Sequence, residues 1–249
     1  MFDIHGFERW KRDIYPKYWI RKSREYGLDH YCKGLISLIE ESQPKSVFEL
    51  AIGTGYPFAE KLLADDIDVA GCDISPELIA ELNRSFPAIN ACVGGYEDLD
   101  KVKAAINQKF DLVYSLRSTW HFIDVAAAID FMLYFVRPGG RVIFDIMNID
   151  SECNKAMVAK KNRLFLLTMV KNVVKFVANL VMPGRYIIDT LFGVRDIMYS
   201  PIEIEAILKD RGLAYETLTL VQIEACGGGG GGEYSFSPDQ KLVFVVHKS

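Results

Sequence analysis

Between residues 45 and 147 short apolar runs alternate with helical patterns, and few folds accept that order. Strand-like runs at Ser46–Ala51, Asp68–Cys72, Ala88–Val93, Phe110–Tyr114 and Arg141–Ile146 are separated by helical stretches that begin at Pro57, Ser75-Pro76, Asp98 and Asp124. Such alternation implies right-handed crossovers and a parallel sheet with helices on both faces. Ser75 reads as an N-cap with Pro76 at the first helical position, where its missing N–H costs little. Arg137-Pro-Gly-Gly140 reads as a turn into the fifth strand. Further on, Ser200-Pro201 opens a helix over Ile202–Arg211 and Gly212 ends it. Ala214–Glu224 and Lys241–His247 then read as two strands with no helix between them, hence an antiparallel pair. The six glycines Gly227–Gly232 between these strands precede no strand-to-helix turn, so they read as a flexible loop without a ligand. The expected fold is α/β: a doubly wound, mostly parallel sheet of about seven strands, with an antiparallel C-terminal hairpin. An N-terminal helical cap (1–43) precedes the core (44–147). A helical insert (148–200) follows strand five, and a C-terminal helix and hairpin (201–249) complete one domain. At 249 residues, half of them hydrophobic, the chain can bury one such core.

The stretch VFELAIGTGYPFAEKL, residues 47–62, is a strand, a tight glycine turn and a helix start. Gly53 and Gly55 permit a sharp turn and close approach of a ligand to the backbone. Free N–H groups at such a helix start favour a nucleotide or a carboxylate. The dinucleotide fingerprint G-x-G-x-x-G needs glycine at position 58, where Phe58 stands, so a nicotinamide cofactor is disfavoured. Glu49 lies in the strand end, four residues before Gly53.

Taken in order, these strand ends resemble the class I S-adenosylmethionine-dependent methyltransferases. Glu49 to Gly55 (ELAIGTG), with Ala51 inside it, is similar to the family's first motif. Asp73, closing strand two ahead of Ile74, resembles its ribose-binding acid. Val93 to Leu99 (VGGYEDL), with Gly95, Tyr96 and Glu97, is similar to the segment bordering the adenine. Phe110 to Ser115 followed by Trp120-His121-Phe122 resembles the fourth motif, and Arg137 to Gly140 the turn before strand five. The resemblance covers most of residues 44–147 and, more loosely, the terminal hairpin. It implies a methyltransferase that uses S-adenosylmethionine, with Glu49, Ala51, Gly53, Gly55, Asp73, Ile74, Gly95, Tyr96, Glu97 and Ser115 around the cofactor. Many members carry an acid where Gly95 stands; here Glu97, Asp98 or backbone groups near Tyr96 would have to replace it.

Methyl transfer from a sulfonium needs an aligned nucleophile and, for some substrates, a base, because the leaving group comes with the cofactor. His121 is the best candidate base, since its intrinsic pKa is near neutrality and it follows strand four. A histidine between Trp120 and Phe122 is equally a packing residue. Arg117 suits an acidic substrate group, and Trp120 is grouped with it as a substrate contact. The N-terminal segment holds Trp10, Tyr15, Tyr18, Trp19, Tyr26 and Tyr31. Such a segment in the family often lies over the cofactor pocket, where aromatic faces attract a sulfonium; Tyr18 is the expected pocket residue.

Residues 153–188 contain no acid but hold Lys155, Lys160, Lys161, Arg163, Lys171, Lys175 and Arg185, in a chain of net charge −4. The apolar run Leu164–Met182 carries two central lysines, which argues against a spanning segment. A helix with apolar residues at 164, 167, 170, 174, 177 and 181 must bury that face. The choices are a substrate lid, a homodimer contact, a basic amphipathic helix on an anionic membrane surface, or docking onto its own domain. The expectation is a helix packed at the carboxyl edge of the sheet as part of a substrate-cavity wall, with Lys171 and Lys175 outward.

The acidic balance disfavours a nucleic-acid partner. Cys32, Cys72, Cys92, Cys153 and Cys226 form no C-x-x-C pair, so neither zinc nor disulfides are expected. With a charged N-terminus unlike a signal peptide, this reads as cytoplasmic. The expected activity is methyl transfer to oxygen or nitrogen of a small or lipid-like molecule. A noncatalytic S-adenosylmethionine-binding protein acting through partners is the alternative, and a nicotinamide oxidoreductase a weaker one.

Overall fold

The computed structural model describes residues 15–23, 29–181, 197–226 and 239–248. Its strands are β1 (Ser46–Leu50), β2 (Asp68–Asp73), β3 (Asn90–Val93), β4 (Phe110–Ser115), β5 (Val136–Met147), β6 (Ala214–Thr219) and β7 (Lys241–His247). They form one sheet in the order β3-β2-β1-β4-β5-β7-β6. The first five strands pair parallel; β7 enters antiparallel between β5 and β6. Strand order reverses between β1 and β4, which opens a crevice at their carboxyl ends.

Helices α1 (Tyr15–Ser23) and α2 (His30–Glu40) precede the sheet, and α3 (Phe58–Ala64), α4 (Pro76–Ser85), α5 (Leu99–Ala105) and α6 (Val125–Phe135) connect its parallel strands. Then come α7 (Glu152–Arg163), α8 (Phe165–Val181), α9 (Pro201–Asp210) and α10 (Leu220–Cys226). The punctuation residues act as their chemistry predicts. Ser75 Oγ accepts from the N–H of Leu78 with Pro76 behind it, and Asp124 caps α6 through the N–H of Ala127. Gly212 ends α9 at φ +65°.

Alternating residues of β1 feed two cores. Phe48 and Leu50 join Phe110, Phe131 and Phe135 on one face, and the rings of Phe48 and Phe135 stack 4.5 Å apart. Val47 faces Leu35, Ile39, Leu62 and Leu112 on the other.

Two local expectations are corrected. The turn Arg137–Gly140 lies inside β5, as an irregularity at which Phe110 pairs with Val136 and Leu112 with Arg141. Gly139 sits at φ +76° and donates its N–H to the carbonyl of Lys248, so this turn is stitched to the chain beyond β7. The strand expected over Ala214–Glu224 stops at Thr219, and Leu220–Cys226 is helical. Leu220 and Ile223, three residues apart, are buried against α2. A side chain at Gly34 would stand 1.8 Å from the Ile223 carbonyl, so α10 rests directly on α2 backbone.

The apolar insert departs furthest from expectation. Helix α8 follows α7 across Leu164, and its Leu166, Leu167, Val170, Val173, Val174 and Val177 remain 44–68% exposed. The reason lies in the sheet: α5, α6 and α9 already fill one face, and α2, α3, α4 and α10 the other. Lys171 is exposed, as expected. Among the described residues no helix is long and apolar enough to cross a membrane. Trp10, Tyr26, Arg185 and Gly227–Gly232 lie outside the described residues.

Candidate functional site

The crevice at the carboxyl ends of β1, β2 and β4 holds a cavity of about 940 Å³, its open mouth included. Gly53, at the start of the glycine turn, forms part of its floor. Gly53 at φ +59° and Gly55 at φ +81° adopt backbone that glycine enters without strain. Ala51, on the same wall, adopts φ +67° without being glycine. Trp19 covers this floor: a side chain at Gly53 would stand 3.1 Å from its indole nitrogen.

Two buried carboxyls reach the cavity. Asp73 Oδ2 accepts from the N–H of Gly53 at 3.1 Å, and Oδ1 from that of Ser75 at 2.9 Å. Burial raises its carboxyl to about 6 while those two N–H groups pull it down. Each oxygen keeps capacity for one more donor, a geometry that suits two neighbouring hydroxyls. Glu49 Oε2 accepts from the hydroxyl of Tyr114 at 2.9 Å. Burial pushes its carboxyl well up; the Tyr114 bond opposes this, and the charge of Asp73 adds to it.

The segment after β3 supplies another wall with Ile74, Gly95, Tyr96 and Glu97. Position 95 is glycine for a steric reason: an added Cβ would lie 2.7 Å from Ile74 Cγ2 and 3.3 Å from Glu97 Oε2. The carboxylate of Glu97 therefore stands where a longer residue at 95 would begin. Asp98 is occupied, accepting from the Gly95 N–H at 3.3 Å. The Tyr96 hydroxyl accepts from the N–H groups of Ile123 and Asp124, and burial lifts it to about 12.

The turn after β4 brings Arg117, Ser118 and His121 to the wall. His121 meets the edge of Tyr15 at 5.3 Å between ring centres and Trp120 at 6.0 Å. Arg117, at φ +59°, donates its N–H to Asp145 Oδ1 at 2.7 Å and a guanidinium N–H to Cys32 Sγ at 3.1 Å.

Of the residues expected from the sequence, Glu49, Ala51, Gly53, Asp73, Ile74, Gly95, Tyr96, Glu97, Arg117 and His121 share this wall; Gly55, Ser115, Tyr18 and Trp120 lie off it. Gly55 backs onto Phe86, and Ser115 Oγ is buried, donating to the Leu50 carbonyl beside Ser118 Oγ. Tyr18 is 37% exposed, and Tyr15 and Trp19 line the cavity in its place. Tyr15 and Trp19, four apart, share a helix face. The rings of Tyr15 and Trp19 stack at 5.9 Å. Trp120 lies behind His121, next to the ammonium of Lys241.

Residues 48–144 match the family model described as a methyltransferase domain. An uncharacterized methyltransferase of Mycobacterium tuberculosis is 26% identical over 118 residues, 47% of this chain and 46% of that protein. The chain thus matches about half the length of such relatives. Among solved structures, a methyltransferase from Thermotoga maritima, described as a possible histamine N-methyltransferase, superposes with a TM-score of 0.55. Its identity is 13%, with 94% of each chain covered. A magnesium protoporphyrin IX methyltransferase from Synechocystis, solved with bound S-adenosylhomocysteine, gives 0.53 at 15% identity, over 98% of this chain and 94% of that one. At such identities the structures establish the fold they share with this chain.

Proposed function

We infer that this chain, whose residues 48–144 belong to the class I S-adenosylmethionine-dependent methyltransferases, moves a methyl group to an oxygen or nitrogen of a small or lipid-like molecule. The observation that carries the reading is Asp73. It is a buried carboxylate on the cavity wall, held by two N–H groups beside a glycine turn, with acceptor capacity left for two ribose hydroxyls. In this reading the glycine turn takes the amino-acid end of the cofactor and Glu49 receives its ammonium. Glu97 and the backbone near Tyr96 border the adenine, and Trp19 closes the floor. When bound, S-adenosylmethionine supplies an electrophilic methyl group with its own leaving group, so this chain's part is positioning, exclusion of water and handling of one proton. His121 is assigned that proton. It lies on the wall formed after β4, and Tyr15 and Trp120 hold its ring in place.

The insert adds a second element to the reading: peripheral contact with an anionic membrane surface. Six exposed apolar side chains on α8 within an acid-free, lysine-rich stretch support it. The free thiols of Cys32, Cys72, Cys92 and Cys153 support a cytoplasmic setting.

Parallel calorimetric titrations with S-adenosylhomocysteine and with NAD test the cofactor assignment. One-to-one binding of the first and no heat from the second is expected. NAD binding instead would return the oxidoreductase reading. Transfer of label from methyl-tritiated S-adenosylmethionine to an acceptor then separates an enzyme from a noncatalytic binder.

A further inference from the structure

Beside the cavity, at the same end of the sheet, the first residue of β7 brings a cation into an unusual setting. The Lys241 ammonium lies 4.7 Å from the ring centre of Tyr31 and 5.3 Å from that of Trp120. Among the described residues no carboxylate comes within the 4 Å of an ion pair with it. The nearest acid chemistry is Asp145, fully buried on β5, and both its oxygens are engaged: Oδ2 by the Tyr31 hydroxyl at 2.9 Å, Oδ1 by the N–H of Arg117 at 2.7 Å. Asp29 lies in the same region and caps α2 through the N–H of Cys32 at 2.7 Å.

The cation is held in place. Asn154 donates to the Gln240 carbonyl at 3.0 Å and to that of Asn148 at 2.7 Å, and Gln240 Nε2 donates back to Asn154 at 3.1 Å. The residue preceding Lys241 is thus clamped to the start of α7. Two aromatic faces attract an ammonium but supply no hydrogen-bond acceptor. A largely desolvated cation without an acceptor is costly to keep, and an incoming anion relieves that cost. Burial also lowers the Lys241 pKa, with Asp145 opposing and Arg117 reinforcing that effect.

The location decides what such an anion would belong to. Trp120 precedes His121, and Arg117 bonds to Asp145; both His121 and Arg117 line the cavity. The ammonium therefore sits one ring away from the wall where the methyl acceptor has to lie. Arg117 and Lys241 face Asp145, and Asp29 also acts on both cations, yet none of these carboxylates pairs directly with the Lys241 ammonium.

We propose that Lys241, framed by Tyr31 and Trp120, binds a carboxylate of the methyl-accepting substrate and so selects acidic molecules. This deepens the methyltransferase reading and rests on it.

Calorimetry on the S-adenosylhomocysteine-loaded protein tests the site, with benzoate as the probe and benzyl alcohol as its neutral counterpart. Benzoate is expected to bind, and benzyl alcohol at least about tenfold more weakly. Lys241→Met should weaken benzoate by about 10- to 100-fold, the range of one hydrogen bond to a charged group, with cofactor affinity unchanged. Lys241→Arg should retain most of the binding. Methionine is one atom shorter than lysine and removes a half-buried charge, so the variant should fold; a thermal melt of each variant checks this. Equal binding of the two probes, or wild-type benzoate affinity in a folded Lys241→Met protein, overturns the proposal. Inorganic phosphate binding more tightly than benzoate, and lost in the same variant, overturns the carboxylate in favour of a phosphate ester. Absence of S-adenosylhomocysteine binding would sink the methyltransferase reading by itself, and the benzoate comparison on ligand-free protein would still judge Lys241.

Discussion

Lowering the pH from 7 to 5 should weaken S-adenosylhomocysteine binding about tenfold, and Asp73 should be the cause. Its carboxyl is raised to about 6 by burial, against the pull of the Ser75 and Gly53 N–H groups. Two ribose hydroxyls donate to the ionised form. At pH 5 a group titrating near 6 is about nine-tenths protonated, so about a tenth of the protein stays competent. Stability should respond with the opposite sign. The folded value exceeds the unfolded one, 3.8, so the fold favours the neutral acid. The contribution is fully present below 3.8 and is lost as pH rises through 6, about 3 kcal/mol in order of magnitude. Ligand-free protein thus gains stability from this group on acidification while it loses ligand. Burial raises Glu49 and Asp145 too, so the same titrations on Asp73→Asn isolate the Asp73 share. Calorimetry at pH 5, 6 and 7 should show the full slope in wild type, and weaker binding with a clearly reduced slope in the variant. Wild-type affinity that stays flat, or a variant that keeps the slope, would refute the reasoning.

Other outcomes follow from single contacts. His121→Asn should lower turnover about 10²–10⁴-fold at unchanged cofactor affinity; if thermal stability and binding fall together instead, the ring is a packing element against Tyr15 and Trp120. Wild-type protein should sediment with phosphatidylserine vesicles, and reversing exposed Lys160 and Lys171 to glutamate should weaken this at least about 30-fold, at about 1 kcal/mol per lysine. No vesicle binding, with a dimer that Val170→Asp breaks in sedimentation, would make the α8 face a subunit contact. Gly34→Ala should destabilise the fold by about 3 kcal/mol, because its Cβ meets the Ile223 carbonyl; an unchanged denaturation midpoint would displace α10 from α2.

Where local chemistry decides the structure, the sequence is readable. Ser75-Pro76, Asp124 and Gly212 mark helix ends because each satisfies or relieves backbone groups at its own position. The helix at Leu220 carried such a signal too, in Thr219-Leu-Val-Gln222. The Gln222 side chain accepts from the Thr219 N–H at 2.8 Å, one half of a capping box, and apolar strand propensity hid it. Helical spacing makes Tyr15 a neighbour of both Tyr18 and Trp19, so it could not say which of the two turns to the cavity. The exposure of α8 was not legible, since it depends on which helices had already covered the sheet. Lys241 was invisible for a related reason. Tyr31, Trp120 and Asp145 reach it from α2, the turn after β4 and β5, and only the insertion of β7 between β5 and β6 brings them together.

Co-crystallisation with S-adenosylhomocysteine tests the central claim most directly. The ribose hydroxyls should fall within hydrogen-bond distance of Asp73, with the adenine beside Glu97 and the amino-acid end over Gly53 under Trp19. A ribose bound away from Asp73, or a ligand outside the crevice between β1 and β4, would contradict the account.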